Sequence, residues 1–587
     1  MKKAIFIMII FGLSSLDAME KKVKVPDEWE YNATQSSYDR VSYPSAMGNL
    51  KYGVMSGSSA MPNVKLATKN IGLSVGGAKD TNNFKENIER GFLPKLESIT
   101  YEGEFYNYFF DTQLKGECKE LFCPSYNSTS RINPFSKQKE QFLTIGLNSG
   151  IKEGDFKRKK LNLVVVLDIS GSMDAPFDRY YYDNLGNKIE NNNDISKNKM
   201  EIAKESIIGM MGHLKAEDRA GMVLFDDRAY KAHKLKMVKD IDKRTIKEHI
   251  LEIQSRGGTN WSAGYTEGVN LFDAIKDTKE YENRIIFLTD AMPNSGQLNK
   301  NGLLGMAKEA SEKSINTTFI GIGVDFNNDL VEYVSKIKGA NYYSVHSSDK
   351  FNKLLDDEFD YMVTPLVYDL KLTMDSKAYA IDEVYGSPEA NSATNELMVV
   401  NTLFPSKNSG EETKGGVILV KLKKSSDIKD DLSLKVEYKD VNGKNFTNVQ
   451  KVKLIESKNS GINKAILLTD YVSVMKNFMI DSRASCNDSV SWVMQEPPFI
   501  MKRFLDSPKA REIYPTVATW ERKSCKLETS KSYKKSLEDF KTYYKKEAKK
   551  IGDKSLNDNI KLIDKILKAP TLVKSTTHKK DEWNATH

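Results

Sequence analysis

Near-continuous runs of hydrophobic residues recur through the middle of the chain, at residues 161–167, 220–225, 285–288 and 318–324. Such runs are typical of strands buried on both faces of a parallel sheet. Stretches with helical spacing of hydrophobic residues separate and follow them, at about residues 200–214, 262–275, 303–313, 330–337 and 350–362. Ser196 is the expected N-cap of the first of these helices. This alternation predicts a doubly wound α/β domain with a mostly parallel sheet over residues 158–363.

After Pro365 the hydrophobic pattern changes to a period of two, as in strands with one buried face. Alternating residues, together with an Asn-Gly hairpin turn at 442–443, predict a β-sandwich over residues 366–456. The N-terminal extension, residues 71–157, also contains strand patterns and can share that sandwich, with the α/β domain inserted between the two parts. Residues 460–587 are expected to be mostly helical, although their charged end is only weakly amphipathic.

The N-terminus has the pattern of an export signal. A charged start at Lys2 and Lys3 precedes an apolar stretch over residues 4–13, and a small-residue boundary ends at Ala18. We therefore interpret residues 1–18 as a signal peptide, with an uncleaved anchor as the alternative, and residues 19–70 as a flexible leader. The apolar stretch is short for a membrane span, so the mature chain is expected to be periplasmic, cell-surface or secreted, without a stable membrane span.

Composition narrows the function further. The 587-residue chain has 29% charged and 39% hydrophobic residues and a net charge of +8, an ordinary balance for several globular domains. No concentrated basic face or nucleic-acid motif accompanies the charge, so nucleic-acid binding is not expected. Four cysteines suit an exported protein. The favoured pairs are Cys118–Cys123 and Cys486–Cys525, although the sequence leaves three connectivities open.

Oxygen-bearing side chains gather in three predicted loops of the α/β domain. Asp168, Ser170 and Ser172 follow the first strand, Thr259 lies in a loop before a helix, and Asp290 follows the strand at 285–288. In open α/β sheets, ligands bind on loops at the carboxyl ends of strands. Carboxylates and hydroxyls without sulfur or imidazole suit Mg²⁺, with Mn²⁺ or Ca²⁺ as alternatives. Such an ion can recruit one more carboxylate from a partner, and no general base is visible nearby.

These three loops resemble a known metal site. The D-x-S-x-S sequence, a G-G-T loop and a T-D loop, in this order, are similar to the metal-ion-dependent adhesion site (MIDAS) of von Willebrand factor type A (VWA) domains. The resemblance implies that the hydroxyls of Ser170, Ser172 and Thr259 contact the metal. It also implies that Asp168 and Asp290 act directly or through water.

Other features qualify this resemblance. Ala291 stands where relatives usually have Gly, which changes the freedom of the loop but removes no ligand. Residues 72–111 and 176–182 resemble a bacterial exported subfamily that is loosely compared with calcium-activated chloride channels, although no pore-forming segment is present. The loop at 174–198 either determines ligand specificity or is an ordinary surface loop. The resemblance also suggests that the helix at 350–362 shifts when ligand binds.

Two other functions compete with adhesion. Residues 72–76 match the G-x-S-x-G pattern of serine hydrolases around Ser74, but the residues before them are too polar for the buried strand that this pattern requires. We therefore do not expect an enzyme. The same metal site also suits an envelope assembly or scaffold factor. The preferred prediction is an exported, divalent-cation-dependent protein-binding module of adhesion type, whose partner presents an acidic side chain; the sequence does not indicate its oligomeric state.

Overall fold

A computed structural model describes residues 27–32, 70–112, 118–176, 197–275, 280–290, 300–323, 334, 336–387, 389–410, 412–428, 432–490 and 525–571. The strands in chain order are β1 (Asn70–Val75), β2 (Gly77–Ala78), β3 (Phe109–Asp111), β4 (Cys123–Ile132), β5 (Lys139–Lys152), β6 (Lys160–Asp168), β7 (Arg219–Phe225), β8 (Ala229–Met237), β9 (Tyr281–Thr289), β10 (Ile315–Ile322), β11 (Asn341–Val345), β12 (Val367–Asp375), β13 (Tyr379–Tyr385), β14 (Glu389–Asn391), β15 (Glu396–Ser406), β16 (Asn408–Ser409), β17 (Glu412–Lys414), β18 (Val417–Lys424), β19 (Leu432–Lys439) and β20 (Asn445–Val452). The α-helices are α1 (Asn82–Arg90), α2 (Tyr101–Tyr106), α3 (Lys199–Gly212), α4 (Lys243–Glu252), α5 (Trp261–Asn270), α6 (Lys300–Glu312), α7 (Ser348–Met362), α8 (Ser460–Val490), α9 (Lys531–Ile551) and α10 (Asn557–Lys568).

The α/β domain is built on a seven-stranded sheet in the order β2-β11-β10-β9-β6-β7-β8. Every neighbouring pair is parallel except β7 and β8. Successive residues of β6 alternate between two hydrophobic cores, because Val165 packs with α3, α4 and α7, whereas Val164 and Val166 pack with α5 and α6. The central strand is thus covered by helices on both faces, which confirms the predicted doubly wound fold.

The two edge strands of this sheet lack the apolar runs from which the inner strands were predicted. β2, which precedes the domain in the chain, pairs in parallel with β11 at one edge. The antiparallel strand β8 forms the other edge, and neither outer strand has the continuous apolar pattern of β6. The N-terminal extension therefore contributes main-chain pairing to the α/β sheet itself.

A ten-stranded antiparallel sheet joins the segments on either side of the α/β domain. Its order is β13-β18-β5-β1-β15-β12-β19-β20, with β4 paired to β5 and β14 paired to β15. Leu73 of β1 faces Pro405 of β15, and Ile145 of β5 faces Ile418 of β18. Hydrophobic residues from both segments share one core, so strands on either side of the insertion fold as a unit. The hairpin between β19 and β20 turns at Gly443, whose φ of 79° requires a residue that tolerates the left-handed region.

The helices α8, α9 and α10 cover one side of the N-terminal extension and share a core with α1 and α2. The buried residues of α9 follow a clear helical spacing, at Leu537, Phe540, Tyr544 and Ala548. Its amphipathic pattern is thus stronger than the weak one inferred from the sequence. Among the described residues, no helix is long and apolar enough to cross a membrane.

Candidate metal centre

The first loop of the site begins where the central strand β6 ends. Asp168 is the last residue of that strand and is fully buried. Its Oδ1 accepts a hydrogen bond from the Ser170 amide at 2.8 Å, and its Oδ2 accepts one from the Thr289 hydroxyl at 2.6 Å. Both oxygens are therefore oriented by the two neighbouring strand ends, β6 and β9.

The two serines connect the first loop to the third. The Oγ atoms of Ser170 and Ser172 lie 3.1 Å apart, and the Ser172 hydroxyl donates to Oδ1 of Asp290 at 2.9 Å. Ser170 and Asp290 are buried, whereas Ser172 is partly exposed. Four of the five residues predicted from the sequence thus line one small polar cluster, with Ser172 on its solvent side.

Thr259 lies on a loop that main-chain bonds fasten to the first one. The Arg256 amide donates to Ile169 O at 2.6 Å, and the Gly171 amide donates to Gly257 O at 3.0 Å. Thr259 itself is 3% exposed. The three predicted loops therefore meet at the carboxyl edge of the sheet.

The acidic residues after β7 hold the Thr259 loop from its other side. Asp226 accepts from Arg256 Nε at 3.0 Å, and Asp227 accepts from the Gly258 amide at 3.0 Å. The Asn260 amide donates to Asp226 O at 2.7 Å. Sequence reasoning missed both aspartates; their position directly after a buried strand was the available signal.

Lys199 is a further residue of the site that sequence reasoning missed. Its Nζ donates to Oδ2 of Asp290 at 2.8 Å, and both side chains are fully buried. Lys199 is the first residue of α3, whose N-cap is Asn198, with Glu201 completing a capping box. The prediction of Ser196 as N-cap is wrong by two residues, since Asn198 combines a side-chain acceptor with a Glu three positions later.

The charges of the site favour a cation. Burial, and next the charge of Asp290, raise the pKa of Asp168 to about 7. When both carboxylates are ionised, they and the Lys199 ammonium leave one net negative charge in a buried space, with hydroxyls beside it. Among the described residues, no three His, Cys, Asp or Glu side chains cluster as ligands. The donor set of two carboxylates and three hydroxyls instead fits a hard divalent cation.

Two further predictions concern the hydrolase-like pattern around Ser74 and the loop at 174–198. Ser74 lies in β1, fully buried between β5 and β15, and its Oγ accepts from Lys79 Nζ at 2.9 Å. The strand β2 follows instead of a helix, so the strand–turn–helix context of a hydrolase nucleophile is missing there. Most of the loop at 174–198 lies outside the described residues. Near its ends, Pro176 pairs with Asn198, whose side-chain amide donates to Asp174 Oδ1 at 2.9 Å.

One predicted disulfide is present. Cys118 and Cys123 are bonded, with their Cα atoms 6.1 Å apart. Cys525 is also disulfide-bonded. Its pairing with Cys486 stays a prediction, since the side chain of Cys486 lies outside the described residues.

Comparison with known proteins identifies the domain. Residues 162–357 match the family model "von Willebrand factor type A domain". The chain therefore contains a VWA domain, and its α/β fold is the fold of that family. Domains of this family typically mediate protein interactions and adhesion.

Individual relatives are distant. An uncharacterized protein of Synechocystis sp. is 26% identical over 30% of this chain and 36% of its own length. Inter-alpha-trypsin inhibitor heavy chain H1 of Mesocricetus auratus is 21% identical over 36% of this chain and 21% of its own length. The matches thus span well under half of either relative. A solved von Willebrand factor type A structure from Catenulispora acidiphila, 14% identical, covers 63% of this chain and 82% of its own, with a TM-score of 0.38.

Proposed function

We propose that the chain is an exported, divalent-cation-dependent protein-binding module of adhesion type, and that Asp168, Ser170, Ser172, Thr259 and Asp290 hold the cation. One observation carries this proposal: two buried carboxylates are brought into a hydroxyl-lined cluster that also contains a buried lysine. Buried like charges are costly unless a cation offsets them. Mg²⁺ is the preferred ion, with Mn²⁺ or Ca²⁺ as alternatives.

The charge balance of the site supports an acidic partner. Lys199 already offsets one of the two carboxylate charges. When bound, a divalent cation would supply an open coordination position for an oxygen ligand and would leave the site with one net positive charge. Ser172, the partly exposed member, lies on the side from which a partner's carboxylate would approach. A binding role follows from this arrangement rather than hydrolysis.

The cation is tested by calorimetric titration of the full chain with Mn²⁺ and with Mg²⁺. Ser172→Ala removes one hydroxyl at the solvent side and keeps both buried carboxylates, so it should lower the affinity while the chain stays folded. Ser130→Ala, a partly buried serine of β4 outside the α/β domain, is the matched control. Equal affinities for wild type and Ser172→Ala, with no binding change in Asp168→Asn, would contradict the proposal.

An envelope assembly or scaffold role, using the same site, is the alternative. Recovery of a partner from an extract of the producing cells should require Mg²⁺ and should be lost in Ser172→Ala. Labelling of intact cells then separates the two roles, because an adhesin is exposed on the surface and an internal scaffold is not. A hydrolase centred on Ser74 is the least favoured alternative. It would be excluded if Ser74→Ala kept whatever hydrolytic activity the wild type shows.

A further inference from the structure

A short segment from near the N-terminus lies against the VWA domain. Residues 27–32, with the sequence Asp-Glu-Trp-Glu-Tyr-Asn, follow the outer strand β8, and we call them the N-terminal segment. The Glu30 amide donates to Ala232 O of that strand at 2.8 Å. An edge strand offers unpaired main-chain groups, and extended peptides commonly bind proteins by adding to such an edge.

The acidic residues of the N-terminal segment match the lysines of β8. Glu28 pairs with Lys236 at 2.7 Å, and Glu30 pairs with Lys234 at 2.9 Å and Lys231 at 3.3 Å. Lysines on an edge strand often serve only to prevent aggregation, and each exposed ion pair is weak. Here, however, each of three lysines on one strand meets a glutamate of one short segment.

The aromatic residues of the segment fit two further partners. Trp29 stacks on the His249 ring, with centroids 4.9 Å apart and planes inclined by 8°, and His249 Nε2 donates to Asp27 Oδ2 at 2.8 Å. Tyr31 meets Tyr230 edge to face at 5.5 Å. Trp29 and Tyr31 both pack against the α3, α4 and α7 core of the domain. Stacked rings add specificity that charge alone does not.

Arg256 also contacts the aromatic residues where the N-terminal segment meets β8. Its guanidinium lies over the rings of Tyr31 and Tyr230, at 5.3 and 5.0 Å from their centroids. Over five consecutive residues, the segment thus forms a main-chain hydrogen bond, charge pairs and ring contacts, and those contacts go to β8, α4 and the Thr259 loop. Surface electrostatics alone does not require such a regular match.

We propose that β8, His249 and Arg256 form a second binding site of the VWA domain, for an extended peptide segment with alternating acidic and aromatic residues. Residues 27–32 are its resident ligand, and a partner protein that presents a similar segment binds by displacing them. The contacts of this site include none of the five residues proposed to hold the metal, so either proposal can fail without the other.

The test uses full-length chains and a fluorescent synthetic peptide that spans residues 25–33. In the variant Glu28→Lys/Glu30→Lys the resident segment is repelled by β8, so the peptide should bind this variant roughly tenfold more tightly than it binds wild type. Binding should weaken with added salt. A peptide with alanine at positions 29 and 31 should not bind. Equal binding to both chains, or binding of the alanine peptide, would overturn the proposal.

A charge exchange guards against misfolding. Adding Lys231→Glu/Lys234→Glu/Lys236→Glu to the Glu28→Lys/Glu30→Lys chain should restore docking of the segment, seen as slowed hydrogen exchange at residues 27–32. All five side chains are partly exposed, so the exchange leaves the core intact. Failure to restore protection would refute the charge match. A wild-type dimer that dissociates in Glu28→Lys/Glu30→Lys would overturn the choice of partner, since a second copy would then be the occupant.

Discussion

Lys199 Nζ lies 2.8 Å from Asp290 Oδ2, and neither side chain is exposed to solvent. The two residues come from different elements, the start of α3 and the end of β9. Asp290 Oδ1 accepts from Ser172, so each oxygen of this carboxylate has its own partner. Lys199 thus stabilises Asp290 without a metal, and a bound divalent cation would share the same carboxylate.

Lys199→Met should make the folded chain more dependent on a divalent cation. The substitution keeps an apolar stem and leaves Asp290 without its ammonium partner. Removal of one member of a buried ion pair costs about 3–5 kcal/mol, so the variant should unfold at a lower temperature in EDTA. With saturating MgCl₂ the dication replaces the lost positive charge. We therefore expect a larger Mg²⁺-dependent rise in Tm than in wild type, measured by calorimetry.

Lys204→Met is the control for this comparison. Lys204 lies on the same helix, but its Nζ donates to Leu251 O and it takes no part in the site. Its Mg²⁺-dependent rise in Tm should equal that of wild type. An equal rise in Lys199→Met would mean that Lys199 does not sense the metal.

A glycine in the Thr259 loop supplies a second prediction. Gly257 has a φ of 67°, and a Cβ there would lie 2.9 Å from Asp227 Oδ2. Gly257→Ala should therefore cost about 1–3 kcal/mol of strain. It should also lower Mn²⁺ affinity, because Thr259 would move with the loop.

Gly212→Ala, at the last residue of α3, is a control outside the site. Its Cβ would meet nothing within 4 Å, and no positive φ restricts the residue. Urea unfolding and Mn²⁺ titration should separate the two variants. Similar losses in both would show that the strain at Gly257 is not what matters.

Much of the VWA fold could be predicted from local patterns. The strands β6, β7, β9 and β10 are buried on both faces, and each contains a run of apolar residues. β8 could not be predicted in this way, because Lys231, Lys234 and Lys236 interrupt it at an edge where only part of the strand is buried. The two-residue strand β2 is too short to leave any periodic pattern.

The pairing of strands that lie far apart in the chain could not be predicted from the sequence. No local pattern shows that β1 pairs with β15, more than three hundred residues along the chain. The residues proposed to hold the metal could be singled out because the order of D-x-S-x-S, Thr259 and Asp290 is itself a sequence signal. Lys199 was missed because the chain has many lysines, and this one is buried only because α3 begins at this position. The sequence before the N-cap Asn198 has no clear hydrophobic periodicity from which the start of the helix could be predicted.

A third prediction concerns pH. Lys79 is fully buried, and burial lowers its pKa to about 7 from 10.5. Between these two values the unfolded chain binds a proton that the folded chain does not, so stability should rise with pH. From about pH 7 to about pH 9, this residue should contribute a gain of about 2 kcal/mol in the free energy of unfolding.

The variant Lys79→Met should lack this gain. The variant loses the contacts of Lys79 Nζ with Ser74 and Val75 at every pH, so its absolute stability does not test the pKa of Lys79. The difference in free energy of unfolding between the two chains, from urea unfolding at each pH, should grow in favour of wild type as pH rises. A constant difference would contradict the lowered pKa of Lys79.

The last prediction links the N-terminal segment to the metal site. Tyr31 lies against Arg256, and the Arg256 amide donates to Ile169 O in the first metal loop. Loss of the Tyr31 ring in Tyr31→Ala should loosen this loop, so Mn²⁺ affinity should fall roughly fivefold. Glu28→Gln, which weakens only the contact with Lys236 at the other end of the segment, should leave the Mn²⁺ affinity unchanged.

Because coupling between sites is reciprocal, Mn²⁺ should also slow hydrogen exchange at residues 27–32 in wild type and not in Tyr31→Ala. Slowed exchange without a change in Mn²⁺ affinity would break this reciprocity and would place the effect outside Arg256.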